Sequence, residues 1–226
     1  LDQLSLAEDV IKRGYPVATF KLMNHYGRCL SETNFSSLGE RYKMESIGIS
    51  RASLQEVLLT ALPQPCIKYG YELDDVIEND TESSKLLFLN KEEIRPDYII
   101  GADGLNSTLR QKIFPKIQKR YSGQTAFRGL VEISTPLNDF FESWGVGKRF
   151  GAVQINNNQA YWYIGMNKKE SCPPIETELK RYLIDTFEKW HNPIPDLISQ
   201  TNETDLIQSD IYDLPNVKKW FKGNIV

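Results

Sequence analysis

Leu1, Leu4, Leu6, Val10 and Ile11 open the chain at the spacing of a helix's apolar stripe, which Gly14 and Pro16 interrupt. Residues 17–23 alternate as a strand, residues 24–27 turn, and Arg28-Cys29-Leu30 returns, which predicts a hairpin. The polar stretch 31–45, carrying Gly39, predicts a long exposed loop or a weak strand pair. Beyond Ser50, Leu54, Val57, Leu58, Ala61 and Leu62 recur at helical intervals as far as Pro63, predicting a helix with one face in the core. Residues 66–77 and 85–89 predict two strands joined by the acidic turn 78–84. Tyr98-Ile99-Ile100 predicts a short buried strand running into Gly101, and a helix follows over residues 106–114.

A second block begins near Tyr121, behind the basic stretch 116–120. Strands are expected at 125–133, 149–155 and 160–166, with the last two joined through a turn at 156–159. A helix over 176–190, a shorter one over 195–199 and a strand over 206–212 complete the block. Gly223-Asn224 ahead of Ile225-Val226 reads as a turn entering a buried strand. Both ends fall inside an element, so the chain is expected to be an internal segment of a longer protein, with any site built from both flanks incomplete. The other reading is an ordinary protein with trimmed termini.

At 226 residues, 40% hydrophobic, 25% charged and 11% aromatic, the composition is that of a globular protein able to bury a core. A net charge of −3 provides no basic field for nucleic acid or anionic lipid. No apolar run approaches the roughly 20 residues of a membrane-spanning helix. Three dispersed cysteines, Cys29, Cys66 and Cys172, fit a reducing cytosol, and a cytoplasmic location is expected. His25 and His191 are too isolated for a zinc constellation, so no metal is expected. Neither a Gly-x-Ser-x-Gly elbow nor a Walker loop occurs.

Chemistry concentrates in three places. The run from Asp97 to Arg110 is a buried strand that turns at Gly101 and Gly104, leaving the Asp103 carboxylate and free backbone N–H groups beside a helix start. Arg51 stands in the first turn of a helix, where a cation opposes the helix dipole and an anionic partner would explain it; a solvated arginine is the plain alternative. The stretch from Phe127-Arg128-Gly129 through Gly145-Val146-Gly147-Lys148-Arg149 to Tyr161-Trp162-Tyr163 is a sheet carrying an arginine among apolar neighbours. Gly145-x-Gly147 is not a dinucleotide fingerprint, because the third glycine arrives one place late, at Gly151, with no strand-helix unit around it. An even hairpin loop would group Arg149 with Val153, Ile155, Trp162 and Ile164 and send Tyr161 to the other face. An odd loop or a bulge would unite Arg149 with Tyr161. A half-buried sheet aromatic is an equal reading of Tyr161.

The fourteen-residue run ending at Arg110 closely resembles the "DG" motif of the flavoprotein aromatic hydroxylases, FAD-dependent monooxygenases similar to salicylate, 3-hydroxybenzoate and urate-type hydroxylases. Ser50-Arg51-x-x-Leu54 resembles the family's His-Arg-x-x-Leu, with Ser50 departing from the usual histidine. The resemblance covers essentially the whole chain and implies an α/β, para-hydroxybenzoate hydroxylase-like fold. A flavin-binding portion (1–16, 46–120, 213–226) is interleaved with a mixed-sheet substrate portion (17–45, 121–212).

It further implies that Arg51, Leu73, Asp103 and Gly104 contact FAD, Leu73 near the adenine, and that Arg149 and Tyr161 act at the substrate. The implied partners are FAD, NAD(P)H, molecular oxygen and a small aromatic or heteroaromatic substrate hydroxylated through a flavin hydroperoxide, with a homo-oligomer left open. The family's Gly-x-Gly-x-x-Gly unit would precede Leu1 and its Gly-Asp motif would follow Val226, so the segment alone is expected to be inactive. Rival expectations are flavin-dependent epoxidation or oxidation of an isoprenoid or polycyclic substrate, and a non-catalytic remnant that binds a small ligand.

Overall fold

The structure, a computed structural model, describes residues 1–63, 65–78, 83–137, 139–170 and 178–226. It divides into two units, residues 1–62 with 123–210 and residues 63–122 with 211–226.

The first unit begins with helix α1 (Ala7–Arg13), of which Val10 is the buried residue. Strand β1 (Tyr15–Pro16) pairs with β4 (Ile47–Gly48). Between them run β2 (Thr19–Asn24), β3 (Cys29–Asn34) and α2 (Phe35–Tyr42). The β2–β3 hairpin is the predicted one, and its turn is held by Asn24 Oδ1, which accepts from the Tyr26 and Arg28 amides. Where a loop or weak strand pair is expected over 31–45, the structure has the end of β3 and a helix. The physical reason is Asn34, whose Oδ1 accepts from the Ser37 amide at 2.9 Å and caps a helix start. Helix α3 (Arg51–Thr60) forms as expected under a Ser50 cap, but only Val57 is buried; Leu58 and Leu62, assigned to its core face, are exposed.

In the second unit, β5 (Leu73–Ile77), β6 (Lys85–Phe88) and β7 (Glu93–Ile94) form an antiparallel sheet. The first predicted strand is therefore far shorter than 66–77, and most of the acidic turn lies outside the described residues. Of Tyr98-Ile99-Ile100 only Ile99 is buried; its amide and carbonyl bond to Asn224 and Val226, so the chain's last residues do run as an extended segment beside it. Helix α4 (Thr108–Ile113) adds Leu109 and Ile113 to a core with Ile99 and Ile225.

The chain returns to the first unit within β8 (Arg120–Glu132) and continues through β9 (Phe140–Gly145), β10 (Lys148–Gln154) and β11 (Gln159–Asn167). Helices α5 (Leu179–Phe187) and α6 (Ile194–Gln200) precede β12 (Ile207–Asp213). The start expected for α5, at residue 176, lies outside the described residues. The seven strands order β12-β8-β11-β10-β9-β2-β3, with β2 parallel to β9. Sequence periodicity does not anticipate β9, which alternates Phe141 and Ser143, both buried, with the more exposed Glu142 and Trp144.

One sheet face is packed against α5 and α6 through Phe127, Phe150, Trp162, Ile164, Leu183 and Phe187. Trp162 is wholly buried, stacks on Phe150 with centroids 5.7 Å apart, and donates its indole N–H to Thr201 Oγ1 at 2.8 Å. Its ring lies across Gly129, where a Cβ would fall 2.5 Å from the indole.

Residues 1–16 and 46–62, expected with the flavin-binding portion, pack within the first unit. Compactness and cofactor contact are separate partitions of a chain. The Gly129→Ala variant is predicted to lose about 1–3 kcal/mol, as overpacked cores do; urea unfolding that matches wild type would contradict the packing argument.

Candidate active site

The second face of the large sheet carries the polar groups. Residues directly paired across antiparallel strands share a face. The register aligns Glu142 on β9, Gly151 on β10, Tyr163 on β11 and Arg128 on β8 in one row. The next row holds Trp144, Arg149, Gly165 and Ala126, and a third pairs Val153 with Tyr161 and Leu130. Five residues, 155–159, lie between the paired Gln154 and Ala160. The hairpin loop is thus odd, and Arg149 and Tyr161 share a face. The even-loop grouping does not occur: Trp162 and Ile164 belong to the helix-covered side.

Two glycines make this arrangement possible. Tyr163 lies across Gly151, where a Cβ would be 2.3 Å from its Cζ, and so reaches Glu142 two strands away. Its hydroxyl donates to Glu142 Oε2, and the Trp144 indole donates to Glu142 Oε1. In the adjacent row Arg149 lies over Gly165, its Nε 3.1 Å from where a Cβ would stand. That Nε is buried and has no hydrogen-bond partner among the described residues. Arg128, by contrast, is engaged, with Nη1 donating to Ser209 Oγ at 2.6 Å.

Tyr161 and Tyr163 stand with ring centroids 6.2 Å apart. Burial pushes the Tyr163 phenol well above its ordinary range, and the bond to Glu142 and its charge add to this against a smaller opposing effect of Arg149. Tyr163 is therefore a protonated donor at any physiological pH. Glu142, Tyr163 and Trp144 are functional candidates that sequence reasoning passes over. Alternation along β9, once the strand is recognised, is the signal that places Glu142 and Trp144 beside Arg149.

In the second unit, Asp103 and Gly104 sit at the turn into α4. Ser107 caps that helix, its Oγ accepting from the Arg110 amide at 2.9 Å, and Asp103 Oδ2 accepts from the Leu109 amide at 3.2 Å. Partial burial pushes the Asp103 carboxyl up, but hydrogen bonds from Ser107, Leu109 and Thr108 outweigh it and hold the group below the usual carboxylate range. Gly104 has φ 78° and open space where a Cβ would be. Arg110, not singled out from the sequence, wraps the turn with Nη1 and Nη2 on the Gly104 and Leu105 carbonyls, leaving Nε buried without a partner among the described residues. A cavity of about 460 Å³ borders this turn, lined in part by Gly101, Gly104, Leu105, Arg110 and Trp220.

Leu73 is half-buried and packs against the Ile99 and Leu109 core. Arg51, in the first unit, is exposed at the start of α3 with no hydrogen bond or ion pair among the described residues. Cys29 and Cys66 are exposed free thiols, while Cys172 lies outside the described residues. No described helix is long and apolar enough to cross a membrane, and the described residues contain no metal-binding group of His, Cys, Asp and Glu.

No family model matches the chain. It is 29% identical to an aurachin C monooxygenase/isomerase of Stigmatella aurantiaca over 96% of its length and 57% of that protein's. It is 27% identical to an FAD-dependent urate hydroxylase of Mycolicibacterium vanbaalenii over 100% of its length and 58% of that protein's. Klebsiella pneumoniae HpxO, solved with FAD and uric acid, superposes with a TM-score of 0.84 at 22% identity, over 98% of this chain and 57% of that one. The chain thus spans little more than half the length of these two relatives.

The depressed Asp103 value gives a signed prediction. A carboxylate whose folded value lies below its unfolded one stabilises fully above the unfolded value, about 3.9, and loses that contribution as pH falls through the folded value. Asp103→Asn should be less stable than wild type at neutral pH, with the gap closing under acid; a pH-independent gap in thermal unfolding would refute the capping role. Among the chain's relatives are a monooxygenase/isomerase and an FAD-dependent hydroxylase, and the solved structures that share its mixed α/β fold include one with FAD bound, in line with the family that its sequence resembles.

Proposed function

We propose that this chain forms part of an FAD-dependent, NAD(P)H-using monooxygenase that hydroxylates a small aromatic or heteroaromatic ring with molecular oxygen. The observation that carries the reading is the shared sheet face, where the unpartnered Arg149 Nε and the Tyr161 ring stand on either side of a floor made by Tyr163. A buried guanidinium nitrogen without an acceptor is costly, and an anionic or carbonyl-bearing ring laid on the floor would satisfy it.

The residues present fit FAD. Gly104 leaves an open cradle at the turn, Arg110 Nε is buried and unpartnered beside it, and Arg51 offers an exposed guanidinium free of protein partners among the described residues. Asp103 and Gly104 would hold the cofactor, with Leu73 beside the adenine through its strand edge, since its side chain is taken up by core packing; Arg51 is assigned to the cofactor on the family resemblance alone. When bound, FAD supplies the oxygen-activating redox chemistry.

The chain's own contributions are placement and charge. Arg149 orients the ring and steadies negative charge developing on it. Tyr161, whose hydroxyl has no hydrogen-bond partner among the described residues, would donate to the ring's oxygen or take up the ring's proton while passing its own to water. Tyr163 is committed to Glu142. In functional terms 1–16, 46–120 and 213–226 make the flavin portion, and 17–45 and 121–212 the substrate portion.

The complete reading frame, purified, should show the visible bands of oxidised flavin. Arg149→Met should keep those bands and lose roughly 10²–10³ in kcat/KM, the scale of removing one charge-stabilising donor. A colourless, well-folded protein, or full activity in Arg149→Met, would overturn the proposal.

A further inference from the structure

Glu142 uses both carboxylate oxygens on aromatic donors. Oε1 takes the indole N–H of Trp144, two residues along its own strand, and Oε2 takes the hydroxyl of Tyr163 from two strands away. The span is made by the ring of Tyr163 lying over Gly151, a contact that any Cβ at residue 151 would abolish. Without an acceptor at its far end, a phenol stretched across a strand would be held by packing alone, and another χ1 well would lift it from the sheet. Trp144, 50% exposed, has even less packing to fix it.

We propose that Glu142 is a positioning residue whose carboxylate pins Tyr163 and Trp144 flat, giving a rigid aromatic floor beside Arg149 and Tyr161. The identity of the ring that sits on this floor rests on the monooxygenase reading; the clamp itself does not. The clamp also divides labour between two neighbouring tyrosines. Tyr163 is spent on Glu142 and serves as surface, so hydrogen bonding to the ligand falls to Tyr161, whose ring is 6.2 Å away.

The test uses the complete protein labelled at tyrosine Cζ and at the indole nitrogen, with Tyr163→Phe and Trp144→Phe assigning the two resonances. Glu142→Gln keeps one acceptor oxygen and turns a donating NH2 group toward the other donor. Both resonances should move, and the Tyr163 phenol should ionise at lower pH than in wild type. With the ring compound that the wild-type enzyme turns over, KM should rise by up to about ten-fold, the scale of one hydrogen bond, with kcat within about two-fold. Unmoved resonances and an unmoved phenol midpoint would overturn the clamp.

If Glu142→Gln does not fold, Tyr163→Phe removes one donor and leaves the carboxylate in place. The same rise in KM would support the clamp, and an unchanged KM would overturn it. A colourless wild-type protein would sink the flavin reading while the resonance comparison still decides the clamp. Unmoved resonances in a flavin-containing protein would sink the clamp alone.

Discussion

A pleated sheet carries side chains that stand off its surface, and a large planar group can lie along that surface only where the residue beneath has no Cβ. Four glycines of the large sheet meet that condition among the described residues: Gly129 and Gly145, the latter beneath the Trp190 ring, on the helix-covered face, and Gly151 and Gly165 on the other. Gly129 accepts the Trp162 indole and lets it reach Thr201 at the C-terminal end of α6. Gly151 accepts Tyr163, and Gly165 accepts Arg149. The same steric rule that makes the core of the large sheet dense thus lays out a polar floor on its other side. Every functional argument about Arg149, Tyr163 and Glu142 depends on those two rows, and Tyr161 stands in the row beside them.

The turn at Asp103 illustrates a different constraint. A short helix has unsatisfied amides at its start, and here Ser107 and Asp103 both serve them. The carboxylate that the family resemblance assigns to the cofactor therefore already has a structural duty. This does not exclude a ligand, because Gly104 beside it leaves open space. It does mean that loss of Asp103 would perturb the turn itself, whereas Arg51, with no internal partner among the described residues, can be removed without breaking a fold contact.

Much of the fold is legible in the sequence because strong local signals agree with it. The β2–β3 turn, the Ser50 and Ser107 helix starts, the Arg149 and Tyr161 strands and the terminal segment at Ile225 all carry such signals. Failures occur where the deciding information is not local. Helix α2 depends on one capping side chain, Asn34, in a stretch whose composition is otherwise that of a loop. The α3 face from Leu54 to Leu62 has helical spacing, yet what covers a face is set by tertiary packing, and Leu58 and Leu62 stay exposed. Arg149 and Tyr161 are legible as residues, but their common face turns on the parity of one hairpin loop, which composition does not reveal. Glu142 is invisible until β9 is known, and Arg110 until its side chain is seen folded back on its own turn.

Charge placement on the floor follows from these contacts. Arg149 favours ionisation of Tyr163, while burial and Glu142 oppose it more strongly, so the phenol stays protonated. A tyrosine locked as a donor cannot relay a proton, and a guanidinium cannot lose one. Of the polar groups facing the same side, that leaves Tyr161 as the only phenol not already bonded among the described residues. If the floor receives a ring bearing an ionisable hydroxyl, the arrangement therefore assigns charge to Arg149, shape to Tyr163 and proton traffic to Tyr161. Three functions that could have crowded onto one side chain are separated by the register of two paired strands.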